Sequence, residues 1–353
     1  MSGQLLKKTL ESIRPVDQAM IDRAQAKWDT VAKPLRSLGK LEKATSQMAG
    51  IYGRELYELD KKALIIMCAD NGIVEEGVTQ SGQYVTAVVA ENFLDTKSCA
   101  AIMCRETGTT IRPIDIGMVT DTPRVEKHKI LYGTRNFIHE PAMTREEAIA
   151  AIEVGIDIAR DMKEKGYQIL ATGEMGIGNT TTSSAIVSAM LEVPVEEVTG
   201  RGAGLTSAGL EKKIAVIKRG LALHKPDKED PIDVLSKVGG LDIAGLAGVF
   251  LGCAAYGLTG VIDGFISAAA ALIAVRLCPE AAGYILPSHV SKEPAGRMVL
   301  DAMGMDPFLI CDMCLGEGTG AIALFPLLDM ALAIYRDMVE FEDSGFETYV
   351  PLS

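Results

Sequence analysis

The chain has 353 residues, with 35 Lys and Arg against 47 Asp and Glu and a formal net charge of −12. A chain of this length buries roughly three quarters of its unfolded surface and needs no covalent staples. So acidic a surface repels a phosphate backbone, which excludes non-specific nucleic-acid binding. Hydrophobic residues reach 48% while aromatics stay at 5%, so the core is built from Ala, Val, Ile, Leu and Met, and 35 glycines without a repeat exclude collagen. The seven cysteines are odd in number and mostly sit in apolar runs, where a free thiol packs as a small hydrophobe. Lys7-Lys8 is followed by Thr-Leu-Glu-Ser rather than an apolar stretch, so no secretory signal is expected, and the protein is read as cytoplasmic and reduced.

In chain order, residues 1–60 read as amphipathic helix with spaced Leu, Ile and Met. Lys62 to Ala69 (KALIIMCA) is a short apolar run ending at Asp70-Asn71-Gly72, and Thr110 to Gly117 (TIRPIDIG) is a second predicted strand. Residues 144–165 have helical period, with acids early and lysines late as the macrodipole favours. A strand over Tyr167 to Thr172 then runs into a glycine loop and a helix over Ser183 to Met190. Residues 243–262 are uncharged and long enough to span a bilayer, yet Asp242 and Asp263 bracket them without a basic flank. They are read as buried core helices, with Gly248 and Gly252 serving close packing. Apolar stretches follow at 260–277 and 307–314, and 321–338 is a closing helix. Strands alternating with helices indicate an α/β fold: a doubly wound, mostly parallel sheet flanked by helices. Such sheets bind ligands beyond the carboxyl ends of their strands.

Three glycine clusters lie in such loops: Gly173-Glu174-Met175-Gly176-Ile177-Gly178-Asn179-Thr180-Thr181-Thr182, Gly200-Arg201-Gly202-Ala203-Gly204 and Gly316-Glu317-Gly318-Thr319-Gly320. Glycine lets a backbone approach a ligand closely, and exposed N–H groups at a helix start attract an anion. None is a Walker loop or a G-x-G-x-x-G. Taken singly, each is as well explained by a tight strand-to-helix turn; three in one α/β chain favour a phosphorylated ligand. Glu174 and Glu317 stand inside two of these clusters, where a general base would project, although a solvated loop carboxylate is the commoner fate of an isolated glutamate. Cys311 and Cys314 form half of a metal site, no second pair has matching spacing, and the four histidines are scattered, so no metal is expected. Lys212-Lys213 after the second cluster are candidate phosphate counter-charges.

These stretches resemble the nicotinate-nucleotide–dimethylbenzimidazole phosphoribosyltransferase family, which activates the lower ligand of cobamides. The resemblance rests on Ala69-Asp70-Asn71-Gly72 with Glu76-Gly77-Val78, on Gly133-Thr134-Arg135-Asn136-Phe137, on Gly173 to Thr181, on Thr199-Gly200-Arg201-Gly202 and on Gly316 to Gly320, and covers nearly the whole chain. It implies a small helical domain from residues 1–60 and 338–353 beside an α/β phosphoribosyltransferase domain over 61–337. It also implies a dimer that needs no bound cofactor and takes only small molecules, nicotinate mononucleotide and an aromatic base. By the same match Glu317 is the general base and Glu174 lies beside the ribose. Gly176, Ile177, Gly178, Asn179 and Thr180, with Gly202, Ala203 and Gly204, cradle the nucleotide. Lys213 fits the phosphate lysine, Ser291 and Lys292 are further phosphate candidates, and Thr79, Gln80, Ser81, Tyr84, Val88 and Leu315 line the base pocket.

The chain departs from the family where Asn71 replaces a common histidine and Val88 stands for a glutamine that contacts the base. Loss of that hydrogen bond is expected to make the pocket more apolar and to favour purines or phenolic compounds. A phenol-using branch works as a pair of similar subunits, so a homodimer and a heterodimer, with this chain active or as a non-catalytic partner, are both open. No nucleic acid and no membrane are expected as partners.

Overall fold

The computed structural model describes residues 3–345 together with Glu347 and Tyr349. Phe346, Thr348 and residues 350–353, part of the expected C-terminal segment of the small domain, lie outside the described residues. Six strands form one sheet: β1 (Lys62–Ala69), β2 (Thr110–Gly117), β3 (Glu126–Lys127), β4 (Ile169–Met175), β5 (Thr259–Ile262) and β6 (Ile285–Pro287). Their order is β3-β2-β1-β4-β5-β6 and every pairing is parallel. The order reverses between β1 and β4, and a crevice opens at that point beyond the strand ends. β1 reads as one unbroken apolar run because both its faces are covered. Ala63, Ile65 and Met67 join one apolar cluster, while Leu64, Ile66 and Cys68 join the other.

Helices α1 (Gln4–Ser12), α2 (Gln18–Thr30) and α3 (Lys40–Tyr52) precede the sheet, and α4 (Tyr84–Leu94) and α5 (Cys99–Glu106) cross from β1 to β2. α6 (Arg145–Glu164) leads into β4 and starts at a capping box in which Thr144 and Glu147 exchange side chain-to-backbone bonds. Between β4 and β5 lie α7 (Asn179–Leu191), α8 (Val195–Val198), α9 (Ser207–His224), α10 (Pro231–Val238) and α11 (Leu241–Tyr256). α12 (Phe265–Leu277) follows β5, and α13 (Gly296–Ala302), α14 (Thr319–Asp337) and α15 (Phe341–Ser344) follow β6.

The uncharged run 243–262 is not one helix. It divides into α11, a left-handed turn at Gly257 and the interior strand β5. α11 presses on α6 with no clearance: a methyl group on Gly155 would strike the carbonyl oxygen of Gly245, and one on Gly248 that of Ile152. Among the described residues α14 alone is long and apolar enough to cross a membrane. Its Leu324, Phe325 and Leu328 fill the cluster that holds Leu64, Trp28 and Met48, and its Asp329 pairs with Lys62 at 2.6 Å. The chain ends meet where Val31 pairs antiparallel with Glu340 and the Trp28 and Tyr335 rings lie 4.9 Å apart.

One predicted element moves, and one apolar stretch takes an open path. The strand expected over Tyr167 to Thr172 runs instead from Ile169 to Met175, so Glu174 belongs to the strand and sits opposite Met67 of β1. Glycine at 173 allows this, because a side chain there would meet the Glu317 carbonyl at 2.6 Å. The apolar stretch 307–314 forms no strand; it follows an open path with a single bridge from Leu309 to His289, and Ile310 is 77% exposed.

Candidate active site

A cavity of about 230 Å³ opens beyond the carboxyl ends of β4, β5 and β6. Its floor carries Glu174 from β4, Asp263 just after β5 and His289 just after β6, and its rim carries Glu317 from the turn before α14. Glu317 adopts φ +62°, between Gly316 at +86° and Gly318 at +89°. A left-handed glutamate flanked by two left-handed glycines is a strained arrangement of the kind that functional sites retain. The turn sits directly on β4, since a Cβ on Gly316 would lie 2.5 Å from Glu174 Oε1.

Glu174 is buried and Glu317 half-buried, and burial is the main reason their carboxyls titrate above the usual range. Glu174 is fully enclosed, and the negative charge of Asp242 reinforces the effect, while the Asn179 amide opposes it. Asn179 Nδ2 donates to Glu174 Oε2 and, at 3.0 Å, to Asp242 Oδ2. Asp242 is itself pushed up to about 6 by burial. Glu317 is raised by burial and by the charge of Asp263; the Ala100 N–H at the start of α5, 3.5 Å from Oε2, works the other way. A carboxylate raised in this way is a stronger base than a solvated one.

The same cavity is lined by Gly176, Ile177, Gly178, Asn179 and Thr180, which lead into α7, and by Gly202, Ala203, Lys213 and Ser291. Lys213 is 1% exposed, and its ammonium donates to Thr180 Oγ1 at 2.9 Å and to the Gly200 carbonyl at 3.2 Å. Burial brings its pKa down to about 8, partly offset by the charge of Glu293. A buried ammonium beside a helix N-terminus and a glycine loop is equipped to receive a phosphate. Thr79, Gln80, Ser81 and Leu315 form a further wall, with Gln80 Nε2 donating across to the Gly204 carbonyl.

Four expected positions fall outside the lining. Gly204 stands behind the wall as the acceptor of Gln80, and Lys292 is exposed. Tyr84 and Val88, on α4, are 68% and 55% exposed and do not reach the cavity in the single chain. Conversely, the sequence reading passed over Asp242, Asp263, His289, Arg201 and Glu293. In sequence the two aspartates stand only as brackets of an apolar run, and the four-residue strand that places Asp263 at its end carries no period of its own. Cys311 and Cys314 are exposed free thiols, and among the described residues no three His, Cys, Asp or Glu side chains group as metal ligands.

Comparison with known proteins agrees with this geometry. Residues 13–346 match a family model described as phosphoribosyltransferase. Nicotinate-nucleotide–dimethylbenzimidazole phosphoribosyltransferase of Acetivibrio thermocellus is 48% identical, covering 98% of this chain and 99% of that protein. The enzyme of the same name from Ruminiclostridium cellulolyticum is 47% identical over 98% and 99% of the two chains. The crystal structure of CobT from Thermus thermophilus superposes with a TM-score of 0.89 at 36% identity, covering 93% of this chain and 99% of that one. This chain therefore belongs to the phosphoribosyltransferase family that contains those enzymes.

Proposed function

We propose that the protein transfers phosphoribose from nicotinate mononucleotide to an aromatic lower-ligand base of cobamides, releasing nicotinate and giving an α-riboside 5′-phosphate. The observation that carries the reading is the convergence of Glu174 and Glu317 in one cavity with buried Lys213 and the start of α7. Nicotinate bonded through its ring nitrogen is cationic. When the bond to ribose C1′ breaks, the electron pair returns to that nitrogen and neutralises the ring. The base nitrogen forms the new bond to C1′, and its proton passes to Glu317. Glu174 faces the ribose and stabilises the positive charge that develops on it. Lys213 and the loop N–H groups fix the phosphate and thereby the reacting carbon.

The wall available to the base is mixed: Val78, Ile177 and Leu315 are apolar, and the Gln80 amide is already engaged by Gly204. Val88, whose replacement of glutamine suggested a purine or phenol, lies outside that wall in the single chain, on an exposed part of α4. The names of the two relatives support a benzimidazole as the first base to test. Tyr84, Val88 and Ile310 are large apolar side chains that a single chain leaves exposed, which supports a dimer, either with itself or with a paralogous subunit. All seven cysteines are free thiols, which supports a reducing cytoplasm.

The test is a mass-spectrometric panel of purified protein with nicotinate mononucleotide and, in turn, a benzimidazole, adenine, phenol and p-cresol. The expected result is nicotinate release and an α-riboside phosphate with the benzimidazole. Absence of nicotinate release with every base, alone or with a paralogous subunit, rejects the reading.

A further inference from the structure

We propose that Asp263 is the positioning residue for Glu317: from the end of β5 its carboxylate grips the main chain just past Glu317 through three N–H groups and so fixes where the general base stands. The inference rests on the reading of Glu317 given above. The three donors are Gly318 N–H to Oδ2 at 3.2 Å, and Gly320 and Ala321 N–H to Oδ1 at 2.7 and 3.2 Å.

These are the open donors of the first turn of α14, which has no capping side chain of its own because Gly318 occupies the N-cap. A helix start is ordinarily closed by a local serine, threonine or aspartate, so stability alone did not require a carboxylate reaching over from a strand. Asp263 is 2% exposed, and burying a carboxylate so completely is costly unless hydrogen bonds and a helix N-terminus offset it. What this arrangement adds is register between β5 and the glutamate turn.

The fit around it is tight. Gly320 has no room for a side chain, because one would strike the His289 ring and come within 2.9 Å of Asp263 Oδ1. Ser288 Oγ donates to the Asp263 carbonyl at 3.2 Å and stands 3.1 Å from His289 Nδ1, so the ends of β5 and β6 are tied together beneath the turn. On the other side Gly173 of β4 brings the backbone against the Glu317 carbonyl. Glu317 is thus seated by three adjacent strand ends, and Asp263 supplies the only side-chain hydrogen bonds to the amides of residues 318–321 among the described residues. Charged or titratable groups facing this seat are Glu174, Glu317 and His289.

The test compares Asp263→Asn and Asp263→Ala with the native enzyme and Glu317→Gln, with kcat and the KM for nicotinate mononucleotide measured separately. In Asp263→Asn the remaining oxygen still serves Gly320 and Ala321, but an amide donor now opposes the Gly318 N–H. We expect kcat to fall about 10-fold or more in Asn and further in Ala, with KM unchanged within about threefold, as for loss of a transition-state interaction. A folded Asp263→Asn enzyme with native kcat, or one whose loss lies wholly in KM, overturns the proposal. Hydrogen exchange of the 316–322 amides needs no turnover: at least about tenfold faster exchange in Asp263→Asn is expected, and unchanged exchange overturns the proposal whatever the protein catalyses. Native kcat in Glu317→Gln would reject the role of Glu317 instead, and separates that failure from this one.

Discussion

Glu174 and Asp242 share one side-chain amide: Asn179 Nδ2 donates to a carboxylate oxygen of each. The second oxygen of Asp242 is buried without a partner, as is Oδ1 of Asn71, and both face the place where Gly240 lacks a side chain, at 2.5 and 2.6 Å. Two acceptors thus face each other with no side-chain donor between them among the described residues.

Replacing Asp242 by Asn supplies the missing donor while leaving an oxygen for Asn179. The rise of the Asp242 pKa from its usual 3.8 to about 6 means that the folded protein holds a proton which the unfolded chain has released. That contribution to stability is full below about pH 4 and is lost as pH rises through about 6, a cost of up to roughly 3 kcal/mol. Asp242→Asn is expected to match or exceed native stability at pH 7.5, by about 1–2 kcal/mol, with the difference shrinking at pH 4. Urea unfolding at the two pH values checks this; a variant markedly less stable than native at pH 7.5 contradicts it.

Glu317→Gln keeps the shape of the turn and removes the proton acceptor. A loss of kcat of about 10²–10⁴ is expected, the usual range for a general base, with little change in the KM for the nucleotide. Steady-state nicotinate release measures both. A KM effect without a kcat effect would place Glu317 in binding rather than in proton transfer.

At Gly316 a methyl group would stand 2.5 Å from Glu174 Oε1, on a backbone at φ +86°. Gly316→Ala is therefore expected to displace one glutamate or the other. About 1–2 kcal/mol of stability is lost to the left-handed conformation, and kcat falls by more than the stability change explains. Denaturant melts alongside kinetics separate the two effects. A fully active variant would show that the two glutamates need not keep their present spacing.

Lys213 carries its charge only while pH stays below about 8. Because burial depresses this pKa, raising pH through that value removes the ammonium, and the KM for nicotinate mononucleotide should climb in the native enzyme. Lys213→Met should start about 10- to 100-fold higher in KM, the worth of a charge-assisted bond, and stay flat across the same interval. Parallel pH profiles for the two proteins would deny Lys213 the phosphate.

Much of the scaffold was readable from local pattern. β1 declares itself as an unbroken apolar run, and α6 through its helical period and charge order. β5 and β6 did not, since strands of four and three residues inside long apolar stretches carry no period to detect. The stretch 307–314, read only as apolar, makes a single bridge from Leu309 to His289 and extends into no strand. Among the site residues, Glu174, Glu317 and Lys213 stood out because their neighbours in sequence are glycines or a second lysine. Asp263 and His289 stayed hidden because their partners, the Gly318, Gly320 and Ala321 amides and the ends of other strands, come near only in the folded chain.

The seam between α6 and α11 has a practical meaning for anyone who wishes to change which base the protein accepts. With Gly155 and Gly248 set against opposing carbonyl oxygens, every added atom there has to be absorbed by two helices at once. Variation belongs instead at Thr79, Gln80, Ser81 and Leu315, which border the cavity and carry no part of that seam. A library confined to those four positions changes the cavity wall while leaving the frame that seats the glutamates as it stands.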